Sequence, residues 1–81
     1  MDIRSIYVVW NEYDWDYESV KNELMAEGYR HNFYFSNKRG YDKDTLEKAD
    51  EVWLFGNCEN RLDLHYAKEL GSDIWQMGFV S

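Results

Sequence analysis

The sequence predicts an α/β domain in which helices cover both faces of a four-stranded parallel sheet. Two apolar runs, "IYVVW" and "VWLF", are continuous rather than alternating, which is typical of strands buried on both faces. An amphipathic stretch that ends at glycine follows each run, and short polar loops join the elements. Strands that alternate with helices in this way favour a parallel sheet. At 81 residues, we expect a single domain over 1–81.

The first strand and helix are the clearest elements. Residues 3–10 predict a central strand, and the polar loop after it leads into a helix over about 16–27. Asp14 or Asp16 is positioned to cap this helix, and Gly28 is suited to end it. The side chains expected to face the core are Tyr17, Val20, Leu24 and Met25.

The middle of the chain predicts a second strand and a short helix. Residues 29–37 are rich in aromatics and lead into a turn at 37–40. Residues 41–49 form a short helix at best, capped by Asp42 or Asp44.

The last part of the chain completes a βαβαβαβ order. Residues 50–56 predict a buried strand, 60–71 a helix that ends at Gly71, and 73–80 a final strand. The helix residues expected to face the core are Leu62, Tyr66, Ala67 and Leu70. Right-handed crossovers leave few topologies, of which we predict the strand order 2-1-3-4.

This strand order places a crevice at the carboxyl ends of the strands. The chain moves outward from strand one and then returns to its other side, so the loops 11–16 and 57–60 flank the point where the direction reverses. Open α/β sheets usually bind ligands there. The predicted ligand-binding residues are Tyr7, Trp10, Asn11, Glu12, Asn57, Cys58, Glu59 and Asp63.

Charge and composition narrow the partners. Sixteen acidic residues against nine basic ones give a net charge of −7, which disfavours nucleic acid and anionic membranes and favours a basic protein partner. One cysteine, no signal-peptide pattern and no long apolar run predict a cytoplasmic protein. No phosphate-binding glycine loop or zinc motif occurs in the sequence, so we expect neither a cofactor nor a metal.

In "DLHYAKELG", Asp63 stands four residues before Ala67, and the first strand contains "IY" at Ile6 and Tyr7. Residues 49–77 thereby resemble the closing half of the nucleoside 2-deoxyribosyltransferase-like superfamily, whose members are small flavodoxin-like domains with a tyrosine after an isoleucine in an early strand. The family's carboxylate is a glutamate that attacks the anomeric carbon of a sugar. The resemblance therefore implies a flavodoxin-like fold and, if this chain is an enzyme, Asp63 as its nucleophile.

Several residues have a structural interpretation beside the functional one. Asp63 is a candidate nucleophile, but a carboxylate early in a helix also serves as a cap and offsets the helix dipole. Cys58 precedes a helix, where a thiolate would be stabilised, yet lone cysteines are commonly small apolar fillers. His31 and His65 show no spacing typical of a metal site.

Two stretches leave the same choice open. Residues 10–17 alternate aromatics with acids, so they could stack on a base and bind a cation, or could form a capped helix entry with Trp15 on the core. The basic turn at 37–40 could contact a phosphate or remain solvated.

Three functional classes follow. We rank first a module that binds a nucleotide- or nucleoside-derived molecule without turnover. An acidic phage-type inhibitor that blocks a basic site on a host defence protein comes second, and a deoxyribosyltransferase-like or N-glycosidase-like enzyme third. We also expect a homodimer, because the aromatic content exceeds the needs of one small core. The predicted dimer contacts are Trp75, Phe79 and Val80.

Overall fold

A computed structural model describes residues 3–36 and 42–79 and confirms the predicted architecture. All strand pairs are parallel, and the sheet order is β2-β1-β3-β4, which is an α/β flavodoxin-like arrangement. The elements are β1 (Ser5–Trp10), α1 (Tyr17–Ala26), β2 (Asn32–Ser36), α2 (Lys43–Lys48), β3 (Glu51–Phe55), α3 (Leu62–Leu70) and β4 (Asp73–Gly78).

Two of the predicted helix caps are present. The Asp16 carboxylate accepts a hydrogen bond of 2.7 Å from the backbone N–H of Ser19. Asp42 accepts one of 3.1 Å from Thr45 in the same way at the start of α2. Gly28 has a φ of 75°, a left-handed conformation that ends α1 at low cost only for glycine. Local sequence therefore sets where these helices begin and where α1 ends.

The core has two layers because the side chains of each strand alternate between the two faces of the sheet. On one face, α2 and α3 pack over the sheet, whereas α1 alone packs over the other. The buried residues of the first layer are Tyr7, Val9, Leu46, Val52, Leu54, Cys58, Leu64 and Ala67. Those of the second layer are Ile6, Val8, Trp10, Val20, Leu24, Trp53 and Phe55.

The inward faces of the helices differ in part from the prediction. Among the predicted core residues, those that are exposed are Tyr17, Met25, Leu62 and Leu70. In α3 the buried positions are Asp63, Leu64 and Ala67, so the inward stripe includes a carboxylate. A stripe chosen by apolarity alone passes over such a residue, which is the physical reason for the error in α3.

Some expectations fall outside the described residues. These are the basic turn at 37–40 and the predicted dimer contact Val80. The other two predicted contacts, Trp75 and Phe79, are 50% and 73% exposed. None of the helices in the described part of the chain has the length and apolar character that crossing a bilayer requires.

Candidate functional site

A cleft lies at the carboxyl ends of β1 and β3, where the sequence predicts the crevice. Asn11 directly follows β1, and Asn57 stands two positions after the end of β3. The side-chain amide of Asn11 donates a hydrogen bond of 2.8 Å to the carbonyl oxygen of Asn57. This bond holds the two loops together. The cleft has a volume of about 660 Å³. Its lining residues are Asn11, Glu12, Tyr13, Asn57, Asn60 and Arg61.

The cleft offers a planar ring and several polar groups. The side chain of Tyr13 is 98% exposed, so its ring is available for stacking. Its backbone N–H donates to Oδ1 of Asn11 at 2.9 Å, which fixes the start of the loop. Side-chain amides both donate and accept hydrogen bonds, and Glu12 adds an acceptor. This combination can hold a planar, polar small molecule.

A buried carboxylate lies next to the cleft. Asp63 is fully buried, and its Oδ2 accepts hydrogen bonds from the hydroxyl groups of Tyr7 at 2.5 Å and Ser36 at 2.8 Å. The Tyr7 oxygen in turn accepts the backbone N–H of Asp42 at 3.3 Å. The Tyr7 hydroxyl oxygen also lies 3.1 Å from Oγ of Ser36. Residues from β1, β2 and the starts of α2 and α3 therefore meet around the hydroxyl group of Tyr7.

Arg61 engages the other carboxylate oxygen. Its Nε and Nη2 lie 3.2 Å and 3.1 Å from Oδ1 of Asp63, and its Nη1 reaches the carbonyl oxygen of Trp10 at 3.5 Å. Because Arg61 also lines the cleft, the network extends from the core to the cleft wall. A buried charge needs a partner and hydrogen bonds, and Asp63 has both.

The same network changes the chemistry of Tyr7. Burial raises the pKa of its hydroxyl well above the ordinary range, and the hydrogen bond to the Asp63 carboxylate raises it further. The proton therefore stays on Tyr7 at neutral pH. In this arrangement Tyr7 acts as a donor to Asp63, not as a base.

The predicted cap role of Asp63 is wrong. The residue at the N-cap of α3 is Arg61, and no side chain caps the helix there. Asp63 lies in the first turn, where a negative charge still favours the helix dipole. Its hydrogen bonds, however, go to side chains from other elements. Asp63 therefore connects α3 to β1 and β2 through hydrogen bonds.

Trp10 and Cys58 are core residues, contrary to the prediction that they contact a ligand. Trp10 is 2% exposed and faces α1, where its ring lies 6.3 Å from that of Tyr17. Cys58 is 3% exposed and belongs to the layer under α2 and α3. Burial raises the pKa of the Cys58 thiol to about 11. Burial and the raised pKa agree with the interpretation of Cys58 as a small apolar residue that fills the core, and disagree with a reactive thiolate.

The other predicted site residues divide between the cleft and its surroundings. Asn11, Glu12 and Asn57 line the cleft, whereas Tyr7 and Asp63 belong to the buried network next to it. Glu59 is exposed in the same loop but is not part of the cleft lining.

Four contributors were not among the predicted site residues. They are Tyr13, Ser36, Asn60 and Arg61. Tyr13 and Asn60 stand within the two loops that the sequence places at the crevice, so loop membership was a usable signal. Arg61 stands two residues before a carboxylate in a helix start, which is a weaker signal. Nothing in the local sequence marks Ser36, because its partners are far away along the chain.

The described residues were also searched for metal-binding groups. Within 3–36 and 42–79, no cluster of three or more histidine, cysteine, aspartate or glutamate side chains is arranged to hold a metal ion. The two histidines lie apart: His31 contacts the Phe33 and Trp53 rings, and His65 is exposed on α3.

Comparisons with protein-family models, with curated proteins and with solved structures return no match for this chain. The fold class and the geometry of the cleft are therefore the basis for assigning a function.

Proposed function

We propose that this protein is a small-molecule-binding module that holds a nucleoside- or nucleotide-derived ligand in the cleft and does not turn it over. The observation that carries the proposal is the position of the cleft, at the point where the strand order reverses, together with its lining of amides and an exposed tyrosine ring. Its volume falls within the range of about 300–1,000 Å³ that is typical of small-molecule sites.

The lining supports a nucleoside in particular. A base could stack on Tyr13, and the Asn57 and Asn60 amides could bond to base edges or sugar hydroxyls. Glu12 can accept from ribose hydroxyls, a contact that acidic residues also make in dinucleotide-binding folds. The resemblance of residues 49–77 to nucleoside 2-deoxyribosyltransferase-like proteins supports the same ligand class.

The state of Asp63 supports binding without turnover. Both carboxylate oxygens are engaged, one by two hydroxyl groups and the other by the Arg61 guanidinium, and the side chain is fully buried. A nucleophile must reach its substrate, so attack by Asp63 would first require these bonds to break. The enzyme therefore remains our third choice.

A thermal-shift screen tests the proposal. The compounds are the common nucleosides, their monophosphates and ADP-ribose, and a ligand at about 100 times its Kd adds about 2.7 kcal/mol of stability. Tyr13→Ala should weaken binding of the best compound by about 1–3 kcal/mol through loss of stacking. Trp75→Ala removes another exposed aromatic outside the cleft and should leave the affinity unchanged. No stabilisation by any compound would contradict the proposal.

A second candidate function is that of an acidic inhibitor of a basic site on another protein. The specific observation in its favour is the exposed acidic surface of α1, where Glu18, Glu23 and Glu27 all face solvent. Because the whole chain has a net charge of −7, this acidic surface would attract a basic protein partner. Either function fits the cytoplasmic location that we propose on the basis of the single, unpaired cysteine.

A further inference from the structure

A second concave surface lies on the α1 side of the sheet, and its lining differs from that of the cleft. It is a groove of about 220 Å³ between α1 and the ends of β3 and β4. Its lining residues, which define the α1 groove, are Glu23, Leu24, Glu27, Tyr29, Phe55 and Met77.

The α1 groove combines an apolar floor with an acidic rim. Leu24 and Phe55 are almost fully buried and Met77 is half-buried, so the floor is hydrophobic. Glu23 lies in α1 and Glu27 directly follows it, and the Glu27 N–H still donates to the Glu23 carbonyl oxygen at 3.1 Å. The two residues therefore stand one helical turn apart, and both are exposed. Among the described residues that line the groove, none is basic. The rim therefore carries two negative charges above an apolar surface.

We propose that the α1 groove binds an arginine or lysine side chain presented by a basic protein partner. Such side chains lay an apolar stem along hydrophobic surface and keep their charged end in a polar environment. Here the stem would contact Met77 and Leu24, and the cation would meet the two glutamates. The Tyr29 ring, 37% exposed, adds a face for a cation–π contact. This inference rests on the second candidate function, binding to a basic protein partner, and is independent of ligand binding in the cleft.

Charge and size select this occupant over the alternatives. The groove is smaller than the roughly 300 Å³ at which small-molecule sites begin, so a single long side chain fits it better than a free metabolite. A second copy of this chain would bring its own net charge of −7 to an acidic rim. Like charges brought together in this way disfavour association, whereas a basic partner is attracted.

The test uses the methyl signals of methionine in the intact protein. Protein labelled with ¹³C at the methionine methyl groups is titrated with a capped extended peptide, Thr-Val-Arg-Val-Thr, and with the same peptide carrying glutamine in place of arginine. Met77 lines the groove, whereas Met25 is 68% exposed and is not part of the lining, so it serves as an internal reference. We expect a saturable shift of Met77 with the arginine peptide, none with the glutamine peptide, and none at Met25.

A charge-matched pair of variants separates the groove from general attraction. Glu23→Gln with Glu27→Gln should weaken binding by about tenfold or more, and added salt should weaken binding to the wild type. Glu59→Gln with Glu69→Gln removes the same charge from exposed positions that lie outside both the groove and α1, and should change affinity less than about twofold. Circular dichroism verifies that both double variants are folded.

Three results would overturn the proposal. The first is no shift of Met77 at a peptide concentration of about 10 mM, because a Kd above that concentration would be too weak for a useful contact. The second is an equal loss of affinity in both double variants. The third is a Met77 signal that moves with protein concentration alone in Trp75→Lys, a variant that removes the dimer contact expected on β4. This result would assign the groove to a second copy. The methionine methyl signals do not monitor the cleft residues, so the outcome of this titration is independent of that of the nucleoside screen.

Discussion

The hydroxyl group of Tyr7 donates a hydrogen bond of 2.5 Å to Oδ2 of Asp63, and both side chains are fully buried. The bond joins the first strand to the last helix across 56 positions of sequence. Because Arg61 binds the other oxygen of the same carboxylate and also lines the cleft, the wall of the proposed binding site rests on this pair. Disturbing the pair should therefore affect the fold first.

Tyr7→Phe should destabilise the protein by about 1–3 kcal/mol, because it removes a buried hydroxyl group that donates to Asp63 and accepts from the Asp42 backbone N–H. Oδ2 of Asp63 would then keep only the Ser36 hydroxyl of its two hydroxyl donors. Urea unfolding measures the change. Tyr66→Phe is the matched control, since its hydroxyl bonds to the exposed Glu47, and it should cost less than about 0.5 kcal/mol. Equal losses of unfolding free energy in the two variants would show that the buried hydrogen bond contributes no more stability than the exposed one.

Asp63→Asn should cost about 3 kcal/mol, because it removes the negative partner of Arg61 in a largely buried ion pair. Asp44→Asn also changes an acidic residue in the first turn of a helix, but at an exposed position, and should cost at most about 1 kcal/mol. Both values come from urea unfolding at neutral pH. An Asp63→Asn loss as small as that of Asp44→Asn would mean that this carboxylate acts only on the helix dipole.

Stability should fall on the alkaline side partly through Cys58. Its thiol has a pKa of about 11 in the folded protein, against an ordinary value of 9.0. The folded state thus retains the proton longer, so the contribution is complete below the unfolded pKa and is lost as pH rises toward the folded one. At pH 10 the loss is at most about 1.4 kcal/mol.

Urea unfolding of wild type and Cys58→Ala at neutral pH and at pH 10 checks this. Cys58→Ala loses some packing at both pH values, but the free energy of unfolding should decrease more for the wild type than for the variant between neutral pH and pH 10. Parallel pH dependence in the two proteins would show that the thiol does not ionise more readily on unfolding.

The protein should be a dimer at about 50 µM, because the edge strand β4 carries the exposed Trp75 and is followed directly by the exposed Phe79. Light scattering gives the mass directly. Trp75→Lys should yield a monomer that remains folded, since half of this side chain is already exposed to solvent. A wild-type monomer at this concentration would end the prediction.

Much of the fold could be predicted because its signals are local. The buried strands are continuous apolar runs, and Asp16 and Asp42 cap the helices that begin directly after them. Alternation of strands and helices then leaves few topologies, so the position of the cleft followed from the strand order.

The buried network could not be predicted, because its members are distant in sequence and one of them breaks the apolar pattern. Ser36 lies 27 positions from Asp63, and nothing near it in the chain indicates the contact. A charged residue on the inward stripe of α3 becomes acceptable only once Arg61 and two hydroxyl groups surround it. Trp10 was misplaced for a simpler reason, since its alternation along β1 directs it toward α1.

One NMR titration tests most directly the claim that the cleft binds a nucleoside-derived ligand without turnover. The side-chain amide signals of Asn11, Asn57 and Asn60 are followed while the best compound from the thermal screen is added, and the same spectra reveal any free base. We predict saturable shifts of these amides and no free base. Unchanged amide signals at a ligand concentration of about 10 mM would contradict binding. Free base that accumulates with the wild type, and not with Asp63→Asn, would show an enzyme instead.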